Sequence, residues 1–168
     1  MNDPVLDLVE ALKSIATPSL LLDVRRTQEN IVAMQRLCDA HGVELWPHIK
    51  THKMIEIAKR QLACGAAGLT CAKISEAEAL LPAFTEKKNS GGKSAMFIAH
   101  SIVDEAKAPR LRRLAEGLDE LVLACTSEVH APVLEGVLAS VDLTSRLCWP
   151  WTRGRNAKAC AIWKARCD

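Results

Sequence analysis

Two hydrophobic periods alternate along residues 1–142. Segments with apolar residues three or four positions apart have the spacing of one helix face, and short apolar runs between them have the length of strands. The pattern predicts helices over 1–16, 27–41, 52–64, 75–82, 104–116 and 127–140, and strands over 19–24, 44–49, 69–71, 95–99 and 121–125. Strands that alternate with helices pair in parallel through right-handed crossovers, so the pattern predicts an α/β fold.

Glycine, proline and acidic positions refine the element boundaries. Gly42 is the predicted stop of the second helix. The string Ser75–Glu78 has the form of a capping box that opens a helix. Residues 86–94, which are rich in Lys, Gly, Asn and Ser, predict a surface loop. Pro109 and Pro132 lie inside predicted helices, and the sequence leaves open whether they start or kink them.

Lys50 is the candidate with the clearest chemistry. It follows the predicted strand 44–49 directly, and α/β barrels place catalytic groups at such strand ends. A lysine held partly out of water there can lose its proton and attack a carbonyl as a neutral amine. The alternative is an ordinary surface lysine that happens to follow a strand. Spacing alone leaves both interpretations open.

Other histidines and lysines surround this position. His48 and His52 are four residues apart, a metal-ligand spacing on a helix, but the strand pattern places His48 before the helix. A structural or cofactor-adjacent role is therefore favoured over a metal site. Lys53 is predicted to reach solvent, with a cofactor phosphate as the alternative. Lys73 also follows a strand but lacks the sequence context of Lys50.

The remaining acidic, basic and thiol groups have structural interpretations. The sequence predicts helix N-terminal acids at Glu76 and Glu78, a solvated basic face at Arg110, Arg112 and Arg113, and core thiols at Cys64 and Cys71. None of these groups is predicted to be catalytic or to bind a metal.

Composition narrows the class of protein. Hydrophobic residues make up 49% and charged residues 25%, as in soluble globular proteins. No apolar run approaches the ~20 residues of a membrane span, and early acids at Asp3, Asp7 and Glu10 argue against a signal peptide. Seven cysteines without a C-x-x-C pair indicate reduced thiols, and hence a cytoplasmic protein. The chain has neither a Walker A nor a G-x-G-x-x-G string.

Residues 143–168 differ from the rest of the chain. Residues 1–142 hold 16 basic and 19 acidic residues, whereas the tail holds 6 and 1. Arg, Ala, Cys and Trp make up 14 of its 26 residues, and neither period continues. We expect an aberrant, disordered or weakly packed tail, as out-of-frame translation of a GC-rich gene would give. A divergent native tail is one alternative. A basic nucleic-acid arm is disfavoured because the cations line no face.

Three stretches carry a resemblance to a known family. They are Thr17–Asp23, Pro47–Lys53 and Gln61–Ala72 with Glu76–Glu78, and a weaker match continues through Ile98–Val103. Together they resemble the N-terminal half of the D-threonine aldolase and D-serine dehydratase-like group, fold-type III pyridoxal-phosphate enzymes with an alanine-racemase-type barrel. The resemblance covers roughly residues 17–142. It departs from the group at Trp46, where arginine is usual, and at His100, where tyrosine is usual.

The resemblance implies a fold and a site. The fold would be a partial (β/α)8 TIM-type barrel of the alanine racemase N-terminal type, with about half of the barrel present. Barrel strands would lie near 45–49, 68–71, 96–99 and 121–125, and 19–24 would belong to a second domain. Lys50 would be both the catalytic and the cofactor-binding residue, as the Schiff-base lysine of pyridoxal 5'-phosphate.

The implied function is a lyase acting on D-β-hydroxy amino acids, with aldolase and dehydratase both open. A small D-amino acid would be the substrate, and the full-length protein would be a homodimer without nucleic-acid or membrane partners. A divalent metal is possible in the full-length family, with no ligands in this chain. The chain is expected to be truncated and inactive. The alternatives are a non-enzymatic pyridoxal-phosphate homeostasis protein, whose lysine turn lacks the Pro47–Lys53 string, and a non-functional fragment of a disrupted gene.

Overall fold

The computed structural model describes residues 4–89, 91–102, 104–125, 134, 146–149 and 161–164, with backbone only at 4–8, 86, 146–149 and 161–164. The α-helices are α1 (Pro4–Lys13), α2 (Val24–Ala40), α3 (Ile55–Ala63), α4 (Ile74–Leu80), α5 (Thr85–Asn89) and α6 (Ala108–Glu116). The strands are β1 (Leu69–Cys71), β2 (Ala95–Ile98), β3 (Glu120–Ala124), β4 (Arg146–Trp149) and β5 (Ala161–Lys164).

The strands form a single sheet in the order β1-β2-β3-β4-β5. The first four strands are parallel, and β5 is antiparallel to β4. Thr70 lies opposite Phe97, and Phe97 opposite Val122, so the ends of β1, β2 and β3 are in register. The predicted parallel α/β architecture is confirmed, and the carboxyl ends of its strands share one edge.

Aliphatic side chains of the strands and helices build one core. Met96, Ile98, Leu121 and Leu123 of the sheet are at most 1% exposed. Their helical partners in the same cluster are Ala58 and Leu62 of α3, Ala77 and Leu80 of α4, and Leu111, Leu114 and Ala115 of α6. The helical spacing of these partners is the pattern seen in the sequence, because one face of each helix covers the sheet.

The opening segment is not a strand. Residues 19–23 have no regular structure, and Leu20, Leu21 and Leu22 are 104%, 66% and 50% exposed. The prediction of a strand at 19–24 is wrong for this chain, since a strand needs a neighbour to pair its backbone groups. Helix α2 instead starts at Val24, earlier than predicted, because the Asp23 carboxylate caps it by accepting the Arg26 N–H at 2.9 Å.

The predicted strand 44–49 is reduced to one bridge, between His48 and Thr70. Its backbone still runs alongside β1, because Ala67 N–H donates to Leu45 O and Thr70 N–H to Pro47 O, both at 2.9 Å. Pro47 has no N–H with which to continue a ladder. The segment therefore occupies the position of the next parallel strand without its full hydrogen bonding.

Two helices start at residues other than those predicted, because of the local backbone geometry. A 3-10 turn at Ile49–Thr51 is followed by Lys53 with a φ of 50°, so α3 starts at Ile55 rather than at His52. The predicted capping box at Ser75 is wrong, since α4 starts at Ile74 after Lys73 with no side-chain cap. The Glu76 carboxylate accepts the Ala72 N–H at 2.9 Å instead.

Two further segments are partly as predicted. The predicted loop 86–94 is helical at its start, where α5 runs to Asn89. The predicted helix 104–116 consists of a 3-10 turn at Glu105–Lys107 followed by α6. Pro109 lies in the first turn of α6, where its missing N–H costs nothing, so it starts this helix rather than kinking it.

Hydrogen bonds close the amino-terminal edge of the sheet. Ser94, which is fully buried before β2, donates its N–H and its hydroxyl to Asp119 Oδ2 at 2.7 and 2.6 Å. Gly68 precedes β1 under the Trp46 ring, and a Cβ there would lie 2.4 Å from Trp46 Cζ3 and 2.7 Å from Ala95 O. Only glycine fits this approach without a shift of the ring or the strand.

The end of the chain contributes β4 and β5, which the sequence pattern did not predict. Leu123 pairs with Leu147, and Leu147 with Trp163. Most of the predicted helix 127–140 lies outside the described residues, apart from Leu134, which is helical and buried. The same holds for the residues of 143–168 that are not in β4 or β5. The division at 142 and the weakly packed tail stay predictions. None of the helices among the described residues is long and apolar enough to cross a membrane.

Candidate active site

The Lys50 turn sits at the carboxyl edge of the sheet, next to the end of β1. Ile49, 1% exposed, anchors the turn in the core, while Lys50 itself is exposed. Two hydrogen bonds close the turn around Lys50: the carbonyl oxygen of Ile49 accepts the N–H groups of His52 and Lys53 at 3.2 and 2.8 Å. Lys50 is therefore not held out of water in this structure. It directly follows the segment that bridges to β1 through His48.

His48 is oriented by the same turn. Its Nδ1 accepts the backbone N–H of Lys50 at 3.2 Å, so a neutral ring carries its proton on Nε2. Burial lowers the pKa of His48, and the nearby charge of Lys50 lowers it further, with a smaller effect of His100 and an opposing one of Glu76. His48 is therefore a neutral hydrogen-bond donor beside Lys50 at neutral pH.

Glu76 ties the Lys50 turn to the loop after β1. Its side chain is 9% exposed, and its carboxylate accepts the Ala72 N–H at 2.9 Å and pairs with Lys53 Nζ at 3.2 Å. Burial raises the pKa of Glu76, but the Ala72 N–H and Lys53 outweigh this and hold it below its ordinary value. Lys53, 60% exposed, thus reaches solvent as predicted and also carries an ion pair that the sequence did not reveal.

His52 has its own set of contacts, with Met54 and Gln61. Its Nδ1 accepts the Met54 N–H at 3.1 Å, and burial lowers its pKa against opposing hydrogen bonds from Gln61 and Met54. The part of the chain that the structure describes holds no group of three or more His, Cys, Asp or Glu that could bind a metal ion. The Nδ1 atoms of His48 and His52 thus accept from different backbone groups, those of Lys50 and Met54.

A cavity of about 190 Å³ opens between the loops that follow β1 and β2. Lys73, His100, Lys107 and Arg110 contribute to its lining. Arg110 is not a free surface cation, because its Nε donates to Glu78 Oε1 at 2.9 Å. This pair spans 32 residues, and the sequence holds no signal for it, since it forms only when α4 and α6 pack.

Cys71 and Cys64 are not reactive groups of the site. Cys71 is fully buried, and burial raises the pKa of its thiol to about 12. Cys64 is half-buried and its Sγ accepts a hydrogen bond from Gln28 Nε2 at 3.2 Å. The interpretation of Cys71 as a core thiol is confirmed.

Comparison with known proteins identifies the family. Residues 22–116, more than half of the chain, match the model of the alanine racemase N-terminal domain. The chain belongs to this family. The resemblance and the partial barrel of the alanine racemase N-terminal type are thereby confirmed, and Lys50, β1 and β2 all lie within the matched residues.

Two curated relatives are each 42% identical to the chain over part of its length. A D-threonine aldolase from Arthrobacter sp. is 42% identical over 121 residues, which are 72% of this chain and 29% of that protein. The D-threo-3-hydroxyaspartate dehydratase of Delftia sp. is 42% identical over 76 residues, 45% of this chain and 20% of that protein. The chain thus spans less than a third of the length of these relatives.

Solved structures agree with this assignment. A crystal structure of D-threonine aldolase from Filomicrobium marinum superposes with a TM-score of 0.72 at 28% identity, covering 86% of this chain and 37% of that one. The D-threo-3-hydroxyaspartate dehydratase from Delftia sp. HT23 gives a TM-score of 0.64 at 30% identity, covering 81% and 34%. The alanine racemase-type fold is therefore shared with enzymes of two different names.

Proposed function

We propose that this chain carries the cofactor lysine of a pyridoxal-phosphate-dependent lyase acting on D-β-hydroxy amino acids, and that Lys50 is that lysine. The observation that supports this most directly is the place of Lys50. Its turn follows the segment that bridges to β1 through His48, at the edge where α/β barrels carry their catalytic groups. The names of the relatives point to the same substrate class.

The residues at this edge fit an aldehyde cofactor. A cofactor aldehyde needs an accessible primary amine, and Lys50 is exposed on a turn whose backbone is fixed by Ile49 O. A neutral His48 beside it offers an Nε2–H donor without adding a second positive charge. Bound pyridoxal phosphate would supply the electron sink that allows a bond at the substrate's Cα or Cβ to break.

The chain's own groups then have separate tasks. Lys50 Nζ would hold the cofactor and would move a proton to or from the substrate carbon. His48 Nε2–H is placed to orient an acceptor atom near Lys50. Glu76 and Lys53 hold the turn against the loop after β1, so that Lys50 approaches from a fixed direction.

Several finer features belong to the same proposal. Aldolase and dehydratase chemistry both remain open, since relatives of both names match this stretch. A divalent metal would be held by residues outside those the structure describes. A homodimeric assembly and a cytoplasmic location complete the proposal; the free thiols of the described cysteines support the latter.

We expect the 168-residue polypeptide to turn over little substrate by itself. Lys50 is open to water, so a bond between its amine and an aldehyde is readily hydrolysed. Water also weakens the electrostatic interactions on which such chemistry depends. The surroundings of Lys50 in this chain therefore favour reversible cofactor binding over efficient catalysis.

A chimera tests the proposed activity without relying on the isolated chain. The chain's matching 121-residue stretch would replace the corresponding stretch of the Arthrobacter D-threonine aldolase, and glycine and acetaldehyde release would be measured. We expect activity on D-threonine, none on L-threonine, and none on either after Lys50→Ala.

Lys88→Ala provides the matched control, because Lys88 is an exposed lysine whose Nζ donates to Gly117 O at 2.7 Å, at the amino edge of the sheet. It should leave cofactor attachment in the chimera intact. A folded, cofactor-loaded chimera that accepts both enantiomers, or one that works without Lys50, would contradict the proposal.

A further inference from the structure

The cavity between the loops after β1 and β2 has no role in the function proposed above. Its polar lining is cationic, with Lys73 before α4, Lys107 at the end of the 3-10 turn and Arg110 in α6. The described residues that line it include no carboxylate, and Ser75, Ser101 and His100 are its other polar members. Three cations from three elements thus converge on one space of about 190 Å³.

The neighbouring acids leave part of this charge uncompensated. Glu78 holds Arg110 through both Nε, at 2.9 Å, and Nη2, at 2.5 Å, and Asp104 lies 3.8 Å from Lys107 Nζ. Lys73 makes no ion pair with any residue that the structure describes, although its charge helps to lower the pKa of the half-buried Glu76. The Glu78 contact also fixes the guanidinium, which reduces the entropy lost when a ligand binds.

The other walls define the size and polarity of the ligand. Ile74, Ile98 and Ile102, all at most 7% exposed, form an apolar floor. A volume of 190 Å³ corresponds to roughly six water molecules at about 30 Å³ each. A space of this size and lining suits an oxyanion on a short carbon chain.

We propose that this cavity is a binding site for a small oxyanion, a carboxylate or a phosphate on a short carbon chain, held by Lys73, Lys107 and Arg110. Arg110 presents its remaining N–H groups, and the two lysines supply point charges. His100 lines the cavity and also lies close enough to His48 to affect its charge, so the site adjoins the Lys50 turn.

Calorimetric titration of the 168-residue protein with succinate and with inorganic phosphate tests this site. We expect the double variant Lys73→Gln, Lys107→Gln to weaken binding of the preferred anion by roughly tenfold or more, since charge-assisted hydrogen bonds are lost. The double variant Arg112→Gln, Arg113→Gln is the matched control, because it also removes two exposed cations, which belong to α6 and do not line the cavity.

The two anions separate the sources of the ligand. Preference for succinate identifies a carboxylate site, and preference for phosphate, with displacement by pyridoxal phosphate, identifies a phosphate site. Equal losses in the lysine double variant and the Arg112→Gln, Arg113→Gln control would show only general electrostatic attraction and overturn the proposal. Unchanged affinity in the lysine double variant would overturn it as well. Lys50→Ala should leave both affinities unchanged, which separates this test from that of the cofactor lysine.

Discussion

The two edges of the same sheet are built in opposite ways. At the amino edge, the buried Ser94 is matched to Asp119, and Lys87 Nζ donates to Ala66 O at 2.8 Å. At the carboxyl edge, Lys50 and Lys73 are exposed cations, and His48 is held neutral beside one of them. The polar groups named at the amino edge bond to one another and to the backbone. Lys50 and Lys73 at the carboxyl edge instead stay exposed and available for a ligand. Barrels of this type generally divide stability and chemistry between their edges in this way.

Gly68→Ala is expected to have the largest effect on stability. The added Cβ would meet the Trp46 ring at 2.4 Å and the Ala95 carbonyl oxygen at 2.7 Å, so either the ring or β2 must shift. Overpacking of this kind costs about 1–3 kcal/mol in the free energy of unfolding, measured by urea denaturation. Gly117→Ala is the control, because its Cβ would meet neighbours only at 3.4 Å. Equal stability of the two variants would show that the amino edge is not tightly packed.

Asp119→Ala should destabilise the protein by about 2 kcal/mol, since it leaves the buried N–H and hydroxyl of Ser94 without acceptors. Glu105→Ala, which removes an exposed carboxylate near the carboxyl edge, should cost well under about 1 kcal/mol. Comparable losses would contradict the contrast between the edges.

Asp119 also predicts a pH dependence. Hydrogen bonds from Ser94 hold the pKa of this carboxyl below its ordinary value in the folded state. Its contribution is therefore present above the unfolded pKa and is lost as pH falls through the folded one. Asp119→Ala should weaken the acid-side fall in stability, measured by denaturation at several pH values. A variant with an unchanged pH profile would show that Asp119 does not contribute this dependence.

Lys50→Gln is expected to leave stability within about 0.5 kcal/mol, because the side chain is exposed. It should nevertheless raise the pKa of His48 towards its ordinary value, since Lys50 is the second cause, after burial, of its lowering. An NMR titration of the His48 ring measures this change. Lys88→Gln, whose ammonium donates to Gly117 O, is the control and should leave the His48 titration unaltered.

Much of the fold follows from the sequence because periodicity reports burial. The strands β1, β2 and β3 and the faces of α3 and α6 were predictable, since their apolar residues all enter one core. The prediction of a strand at 19–24 failed because apolar composition cannot show whether a neighbouring strand is present to pair with it. The segment 44–49 lost its ladder at Pro47, although its position beside β1 was predicted correctly.

The site was predictable only where its residues are close in sequence. Lys50 and His48 share one short motif, so the sequence and the family resemblance pointed to both. The contacts of Glu76 with Lys53 and of Glu78 with Arg110 join different elements, and no sequence pattern marks them. The strand-end positions of Lys73 and His100 were the one available signal for the cavity that they line.

Hydride trapping tests the central claim, that Lys50 at the carboxyl edge is the cofactor lysine. The 168-residue protein would be incubated with pyridoxal phosphate, reduced with borohydride, digested and mapped by mass spectrometry. The account predicts the label on Lys50, with Lys87 and Lys93 at the amino edge unmodified and labelling much reduced in Lys50→Ala. Label on Lys53 or Lys73 while Lys50 stays unmodified, or equal labelling of both edges, would contradict it.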